Sequence, residues 1–223
     1  NWRTAIPCIL FGVVLGMAMA SKVSAAPLAF LLPAVLLVRL LRAPEREREH
    51  LIMILLRNLA AAAVVSFFVF RICQPYAFQG PGFFGLGLNE RWVQNLSDLS
   101  QQSSGDVDFP PALQWARRPI TFAWENMVVW GLGLPLGLLS WAGFLWMGWR
   151  ILKGEWQNHA VLWGWTAIYF IWQSLNFSRS MRYQLPVYPT LTIIAAWTIF
   201  KLWEKGSQAS GEGTGRKKLN RIK

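Results

Sequence analysis

Residues 51–72, LIMILLRNLAAAAVVSFFVFRI, form an almost unbroken apolar run. The run is as long as the roughly 20 residues that an α-helix needs to cross a bilayer. Arg57 lies within reach of its first end and Arg71 marks its second end, and both are long cations that can extend to polar headgroups. The run therefore predicts a transmembrane helix.

Five further apolar runs extend the same pattern over residues 5–20, 25–41, 126–149, 161–175 and 184–203. With 54% hydrophobic residues, 14 Trp and 14 Phe, the chain is predicted to be an all-α, polytopic membrane protein. It would have about six transmembrane helices within residues 1–203. A soluble helical protein with buried core helices is the less favoured alternative. Gly and Pro in the 126–149 run predict a kinked or locally unwound span.

The first two apolar runs are joined by a short turn, which predicts a helical hairpin with Lys22 at its tip. Gly12 and Gly16 in the first run have the spacing that lets another helix approach closely in lipid. Lys22 either extends to the interface as a snorkelling side chain or contacts an anionic headgroup or lipid phosphate. The residues leave these two alternatives open.

Residues 74–125 are the longest segment between apolar runs, and they mix aromatics, Gly, Pro and charged residues. We interpret this segment as a large, ordered extracytoplasmic loop that contains short interfacial helices. Residues 75–88 are expected to lie as irregular chain on the membrane interface. After an N-cap at Asn89, residues recur at helical spacing and predict an amphipathic helix in the membrane plane, broken by residues 100–105. The recurring residues are Leu88, Trp92, Leu96 and Leu99.

A second short helix is predicted at residues 112–117, preceded by a proline-containing first turn. Asp106 and Asp108 are the only paired carboxylates on the outer side of this topology. They either cap the helix that starts at Pro110 or bind an acceptor, and capping is the favoured alternative.

The formal charge of +11 is explained by topology rather than by nucleic-acid binding. Most basic residues lie at the ends of apolar runs or in the tail, as the positive-inside rule expects, and no nucleic-acid motif is present. The mixed-charge residues 39–50 are interpreted as a cytoplasmic loop. Residues 204–223 are interpreted as a disordered, basic, cytoplasmic tail, so both termini of this stretch are predicted to be cytoplasmic.

The cysteines and histidines predict no metal centre. Cys8 and Cys73 provide neither a disulfide framework nor a metal motif. His50 and His159 are predicted to lie in short loops without ligand partners. The sequence identifies no cofactor and leaves a divalent metal open.

Five cations remain on the outer side against the positive-inside rule. They are Lys22, Arg117, Arg118, Arg179 and Arg182. Solvated surface charge is the alternative for each one separately. Because several lie in short turns at the same membrane level, we favour a role in binding an anion.

Two short segments resemble a known family. Residues 15–22, LGMAMASK, resemble the LGLA-x-x-(T/S)K segment of GT-C-class membrane glycosyltransferases, the group of protein O-mannosyltransferases and lipid A aminoarabinose transferases. Residues 182–189, RYQLPVYP, resemble the RY-x-LP-x-YP segment that opens a late span in the same proteins. The segments come in the same order, with a long outer loop between them. Residues 74–78 and 108–115 are also similar to bacterial members of the class.

The resemblance implies sugar transfer from a polyprenyl-phosphate donor on the outer face of the cytoplasmic membrane. It implies that Lys22 and Arg182 contact the donor phosphate, with Arg179 and Tyr183 nearby. Arginine offers a fork that fits phosphate oxygens and lysine a point charge. The partners would be membrane lipid and a polyprenyl-phosphate-linked sugar, without nucleic acid. Loop residues that are candidates for the acceptor side are Asp106, Asp108, Gln114, Trp115, Arg117 and Arg118.

The chain departs from the family in one respect. The catalytic carboxylate of this class lies in the first outer loop, so it is expected upstream of Asn1, and this stretch is expected to be inactive alone. Two non-enzymatic alternatives stay open. One is a transporter or lipid-handling protein whose kinked fourth span lines a path. The other is a structural subunit of a membrane complex.

Overall fold

The computed structural model describes residues 2–80, 82 and 84–219. Within these residues every regular element is helical, and the only strand-like feature is an isolated antiparallel bridge between Phe78 and Leu88. The α-helices are α1 Trp2–Ser21, α2 Leu31–Arg42, α3 Glu45–Cys73, α4 Glu90–Ser104, α5 Pro110–Ala116, α6 Phe122–Asn126, α7 Leu134–Arg150, α8 Trp156–Leu175 and α9 Tyr188–Leu219. The predicted all-α fold is confirmed.

Short helical turns of other types extend these helices. The 3-10 helices are Val23–Phe30, Pro75–Ala77 and Met181–Val187, and the π-helical turns are Met127–Gly131 and Ile151–Glu155. The chain forms two compact units, Asn1–Leu113 and Gln114–Lys223.

Four helical stretches in the described part of the chain are long and apolar enough to cross a membrane. They are Thr4–Ser21, Val23–Arg42, Glu45–Cys73 and Met181–Gln208. These four stretches fit a membrane protein. The predicted fourth and fifth spans, which correspond to α7 and α8, are not among them.

In the first unit, α1 and α3 pack side by side in a parallel orientation. Gly12 faces Ala62 and Gly16 faces Ser66, so positions advance together along both helices. A Cβ atom on Gly16 would lie 2.6 Å from the carbonyl oxygen of Ser66. The predicted role of the Gly12–Gly16 spacing in close helix approach is therefore confirmed.

The chain between α1 and α3 returns along the bundle through Val23–Phe30 and α2. Cys8 of α1, Leu32 and Leu36 of α2, and Leu55 of α3 form one buried apolar cluster. Lys22 is the single residue between α1 and the first 3-10 helix, so the predicted hairpin with Lys22 at its tip is confirmed.

The interpretation of residues 39–50 as a loop is wrong. Helix α2 continues to Arg42 and α3 already begins at Glu45, which leaves only two linking residues. Glu45 and Glu47 lie in the first turn of α3, where negative charge interacts favourably with the helix dipole. His50 consequently lies in a helix rather than in a loop.

In the second unit, α7 and α9 are also parallel. Gly131, just before α7, contacts the Tyr188 ring at the start of α9, and Gly143 contacts Thr198 further along. These glycines leave the space that the facing side chains occupy.

Helix α8 runs antiparallel to α7. Trp163 near its start stacks on Phe144, with ring centroids 5.0 Å apart, and its indole Nε1 donates to the Phe144 carbonyl at 3.0 Å. Phe170 near its end meets Trp141, an earlier residue of α7, with ring centroids 4.8 Å apart. Two aromatic pairs thus form part of the α7–α8 contact.

The predicted break in residues 126–149 is confirmed. Helix α6 ends at Asn126, a π-helical turn follows, and α7 starts after Gly133, whose φ of 77° favours glycine. By contrast, the prediction that His159 lies in a short loop is wrong. Helix α8 begins at Trp156, earlier than the predicted residue 161, and includes His159.

Helix α9 continues past residue 203, where the last span was predicted to end, through Leu219. The final four residues of the predicted tail lie outside the described residues. The solution behaviour of the tail stays a prediction.

Candidate functional site

The RYQLPVYP segment forms a 3-10 helix that leads directly into α9. Gln184 is 2% exposed, and its Nε2 donates to the Phe170 carbonyl at 3.3 Å and to Ser174 Oγ at 3.1 Å. Val187 is fully buried. These two residues anchor the turn on α8 and in the core of the second unit. The sequence did not identify Gln184 as an anchor.

Arg182 is displayed on the exposed side of this anchored turn. Its guanidinium carbon lies 5.2 Å from the Tyr183 ring centroid, and Nη2 donates to Tyr183 Oη at 3.3 Å. A guanidinium has five N–H donors, so this single bond leaves most of its donor capacity to other groups. The geometry suits a group that accepts several hydrogen bonds, such as phosphate.

Arg179 has a different environment. Its side chain is half-buried; Nε donates to the Ser174 carbonyl at 3.1 Å and Nη1 donates to the Arg118 carbonyl. Ser174 lies in the last turn of α8, where carbonyls have no partner within the helix. Arg179 thus joins the end of α8 to the segment that contains Arg118.

The segment around Arg118 is packed by aromatic contacts. The Arg118 guanidinium carbon lies 5.2 Å from the Phe122 ring centroid, and Trp115 contacts the same ring at a centroid distance of 6.1 Å. Arg117 and Gln114 are exposed. The residues bearing most of the predicted acceptor-side chemistry therefore form one local group.

Within the described chain, no carboxylate forms an ion pair with Arg117, Arg118 or Arg182. Exposed positive charge in neighbouring turns, without internal neutralisation, attracts anions.

Lys22 belongs to the first unit. It is exposed and lies at the end of α1; its amide donates to the Ala18 carbonyl at 2.9 Å. Because α1 and α3 are parallel, Lys22 is at the same end of this unit as Cys73 and the start of the long loop. This shared end agrees with the predicted placement of Lys22 and the loop on one side.

The beginning of the long loop is an ordered structure built over Arg71. This arginine is only 6% exposed, its Nη2 donates to the Gly82 carbonyl at 2.8 Å, and its guanidinium carbon lies 4.8 Å from the Phe78 ring centroid. The prediction that Arg71 snorkels is therefore wrong. The loop is closed further by a bond of 2.9 Å from the Asn89 amide to the Ala77 carbonyl. The start of the loop therefore packs over the Arg71 side chain and buries it.

Helix α4 begins as the sequence predicts. The Asn89 side chain accepts from the Arg91 amide at 3.0 Å, so the predicted N-cap is confirmed. The prediction that residues 100–105 break this helix is wrong. The helix continues to Ser104 and ends at Gly105, whose φ of 91° is the left-handed conformation typical of a helix end.

Asp106 and Asp108 are both exposed and belong to the first unit. The Asp106 carboxylate accepts from Ser104 Oγ at 2.5 Å, which directs it to the end of α4. The residue directly before α5 is Phe109, and α5 starts at Pro110 as predicted.

The second unit contains a separate charged group near the start of α8. Arg150 Nε donates to Glu155 Oε1 at 2.9 Å, and His159 Nε2 lies 3.8 Å from Glu155 Oε2. The His159 ring contacts Trp197 at a centroid distance of 5.2 Å. Burial, with a smaller contribution from the Arg150 charge, lowers the pKa of His159 below its ordinary value. No cluster of three or more potential metal ligands occurs in the described part of the chain.

The structure brings some predicted residues together. Arg179 contacts Arg118, and Arg182 contacts Tyr183, all within the second unit. Lys22, Asp106 and Asp108 belong to the first unit. Comparison with family models, with curated proteins and with solved structures finds no match to this chain.

Proposed function

We propose that this chain is part of an integral-membrane glycosyltransferase of the GT-C class. It transfers a sugar from a polyprenyl-phosphate donor to an acceptor on the outer face of the cytoplasmic membrane. In this proposal α7 and α8 complete a six-span topology, residues 74–125 lie outside and both termini of the stretch lie in the cytoplasm. The proposal rests on the resemblance of residues 15–22 and 182–189, and on the chemistry of the turn that contains the second segment.

The exposed position of the Arg182 guanidinium on an anchored turn is the observation that carries the proposal. Arg182 stands on a turn that Gln184 and Val187 anchor, it has no ion-pair partner among the described carboxylates, and an aromatic hydroxyl is beside it. As the glycosidic bond to the donor phosphate breaks, negative charge develops on the leaving phosphate. A fixed guanidinium stabilises that charge.

The rest of the reaction needs a base for the acceptor. The acceptor hydroxyl attacks the sugar carbon, and its proton passes to a carboxylate that acts as the base. The leaving polyprenyl phosphate keeps the bonding electron pair. Asp106 and Asp108 are exposed and remain candidates for acceptor contacts rather than for this base.

The test uses the natural full-length protein in detergent and undecaprenyl phosphate, the lipid product that such a donor leaves. Arg182→Ala should weaken its binding about 10- to 100-fold, the size expected for loss of charge-assisted hydrogen bonds. The matched control is Arg46→Ala, which removes an exposed arginine from α3. Sugar transfer from synthetic polyprenyl-phosphate sugars should fall with binding. Unchanged binding and transfer in Arg182→Ala would overturn the proposal.

The transporter alternative depends on the broken helix before α7. Met127 and Val128 in this break are buried, and the Tyr188 ring packs against Gly131. Because the chain's own side chains fill the break, this feature gives little support to a path through the protein. Uptake of a solute into proteoliposomes that contain the protein, without sugar transfer, would favour the transporter instead.

A further inference from the structure

We infer that Arg179 is a positioning residue that fastens the segment of residues 114–118 to the end of α8, and is not a ligand of the donor phosphate. The effect on sugar transfer rests on the proposed function, but the structural connection does not. The inference reassigns a residue that sequence resemblance groups with Arg182.

Hydrogen bonds from two nitrogens of the Arg179 guanidinium tie it to two carbonyls of the protein backbone. Nε donates to the Ser174 carbonyl at 3.1 Å, and Nη1 donates to the Arg118 carbonyl, 61 positions earlier in the chain. The first bond caps the C-terminal turn of α8, where a positive charge also interacts favourably with the helix dipole. The second bond reaches a different segment. One planar, rigid guanidinium can make both bonds at once.

The carbonyl that receives the second bond is itself held in place. The Arg118 amide donates to the Trp115 carbonyl at 3.1 Å, which closes a turn, and the Arg118 and Trp115 side chains both contact Phe122. Fastening this one carbonyl therefore fastens a packed group that presents Trp115, Arg117 and Arg118.

Arg179 and Arg182 consequently have different tasks although they are three residues apart. Arg182 is exposed and donates to the neighbouring Tyr183 hydroxyl, whereas the half-buried Arg179 connects two backbone segments. If the acceptor contacts residues 114–118, Arg179 sets the position of those residues relative to the donor turn. Its loss should then affect the acceptor more than the donor.

Arg179→Lys separates the two roles because it keeps the positive charge. The compact ammonium group of lysine cannot reproduce the fork that reaches both carbonyls, but it can still attract a phosphate. In the full-length protein, amide hydrogen exchange at residues 115–121 should become about 10- to 100-fold faster, the factor for losing a hydrogen bond to a charged group. The dissociation constant for undecaprenyl phosphate should change by less than about twofold.

Arg182→Lys is the matched control and should behave in the opposite way, with weaker binding of undecaprenyl phosphate and unchanged exchange at residues 115–121. With a synthetic polyprenyl-phosphate sugar, Arg179→Lys should raise the KM for the acceptor and leave the KM for the donor unchanged.

Two results would overturn the inference. One is a weaker affinity of Arg179→Lys for undecaprenyl phosphate together with unchanged amide hydrogen exchange at residues 115–121. The other uses the unaltered protein and does not depend on any variant folding. If Arg179 left the Arg118 carbonyl to bind the phosphate, adding undecaprenyl phosphate would accelerate amide hydrogen exchange at residues 115–121. Such an acceleration would overturn the inference. Faster exchange in Arg179→Lys in a protein that transfers no sugar would leave the connection standing and remove the proposed function.

Discussion

The contact between α1 and α3 predicts a large effect from the smallest possible substitution. In Gly12→Ala, the added Cβ atom would overlap the carbonyl oxygen of Ala62 and lie 3.1 Å from both its carbonyl carbon and its Cα. All three atoms belong to the backbone of α3, so no side-chain rotation can relieve the overlap. The two helices have to move apart along this contact.

Overpacking of this kind costs about 1–3 kcal/mol of stability. The estimate is strengthened by Gly16, one turn further along, because separation at Gly12 also loosens the contact where a Cβ on Gly16 would lie 2.8 Å from Val69 Cβ. For a chain of this size, each kcal/mol corresponds to roughly 2–4 °C in Tm. Gly12→Ala should therefore lower Tm by several degrees.

The assay is thermal unfolding in detergent, followed by tryptophan fluorescence. Gly164→Ala is the matched control, because Gly164 lies in helix α8 and a Cβ there meets nothing within 4 Å. Alanine favours helix over glycine, so the control should be neutral or slightly more stable. Equal Tm values for Gly12→Ala and Gly164→Ala would refute the reasoning about the α1–α3 contact.

Three further predictions concern polar side chains. Arg71→Lys should loosen the loop at residues 75–89, because lysine cannot both donate to the Gly82 carbonyl and stack on Phe78 in the same geometry. The loop should then be cleaved faster by chymotrypsin. An unchanged cleavage rate would count against Arg71 as a buried anchor of the loop. Gln184→Met should cost about 1 kcal/mol, measured by denaturant unfolding in detergent, since it removes two donated hydrogen bonds while keeping the side-chain length; equal stability would contradict an anchoring role. His159, which lies in the first turn of α8 next to the partly exposed Glu155 carboxylate, has a folded-state pKa below the ordinary 6.5. Its contribution to stability is therefore complete above about pH 6.5 and is lost as pH falls through the folded-state pKa. His159→Gln should flatten the fall in Tm between about pH 7 and pH 5. A slope equal to that of the unaltered protein would exclude His159 as the source of the fall.

Sequence patterns located most helices because those patterns are local. The apolar run at residues 51–72 lies within α3, Asn89 caps α4, and Pro110 starts α5. Each of these signals depends on a few neighbouring residues and on backbone or bilayer physics. Local chemistry therefore predicted where these elements form.

The errors occur where a local pattern has two physical outcomes. The charges at residues 39–50 were compatible with a loop or with a helix start, and the acidic residues in the first turn of α3 favoured the helix. The serines near residue 100 can break a helix, yet Ser103 Oγ donates to the Ser100 carbonyl at 3.0 Å and remains within α4. Composition alone does not choose between these outcomes.

The contacts of the candidate residues were not predictable from the sequence. Arg179 and Arg182 are three residues apart, and the resemblance groups both with the donor phosphate. Their difference depends on the Arg118 carbonyl, 61 positions from Arg179 along the chain. Contacts at that sequence separation leave no periodic or compositional signal.

The parallel contact between α1 and α3 also constrains how the first unit is made. Two touching parallel helices need a connection that returns along their full length, and Val23–Phe30 with α2 supplies it. During synthesis the glycine surface of α1 therefore has no partner until the ribosome has produced both α2 and the Ala62–Ser66 region of α3. A chain that stalls or is cut before that point exposes a close-packing surface with nothing to pack against.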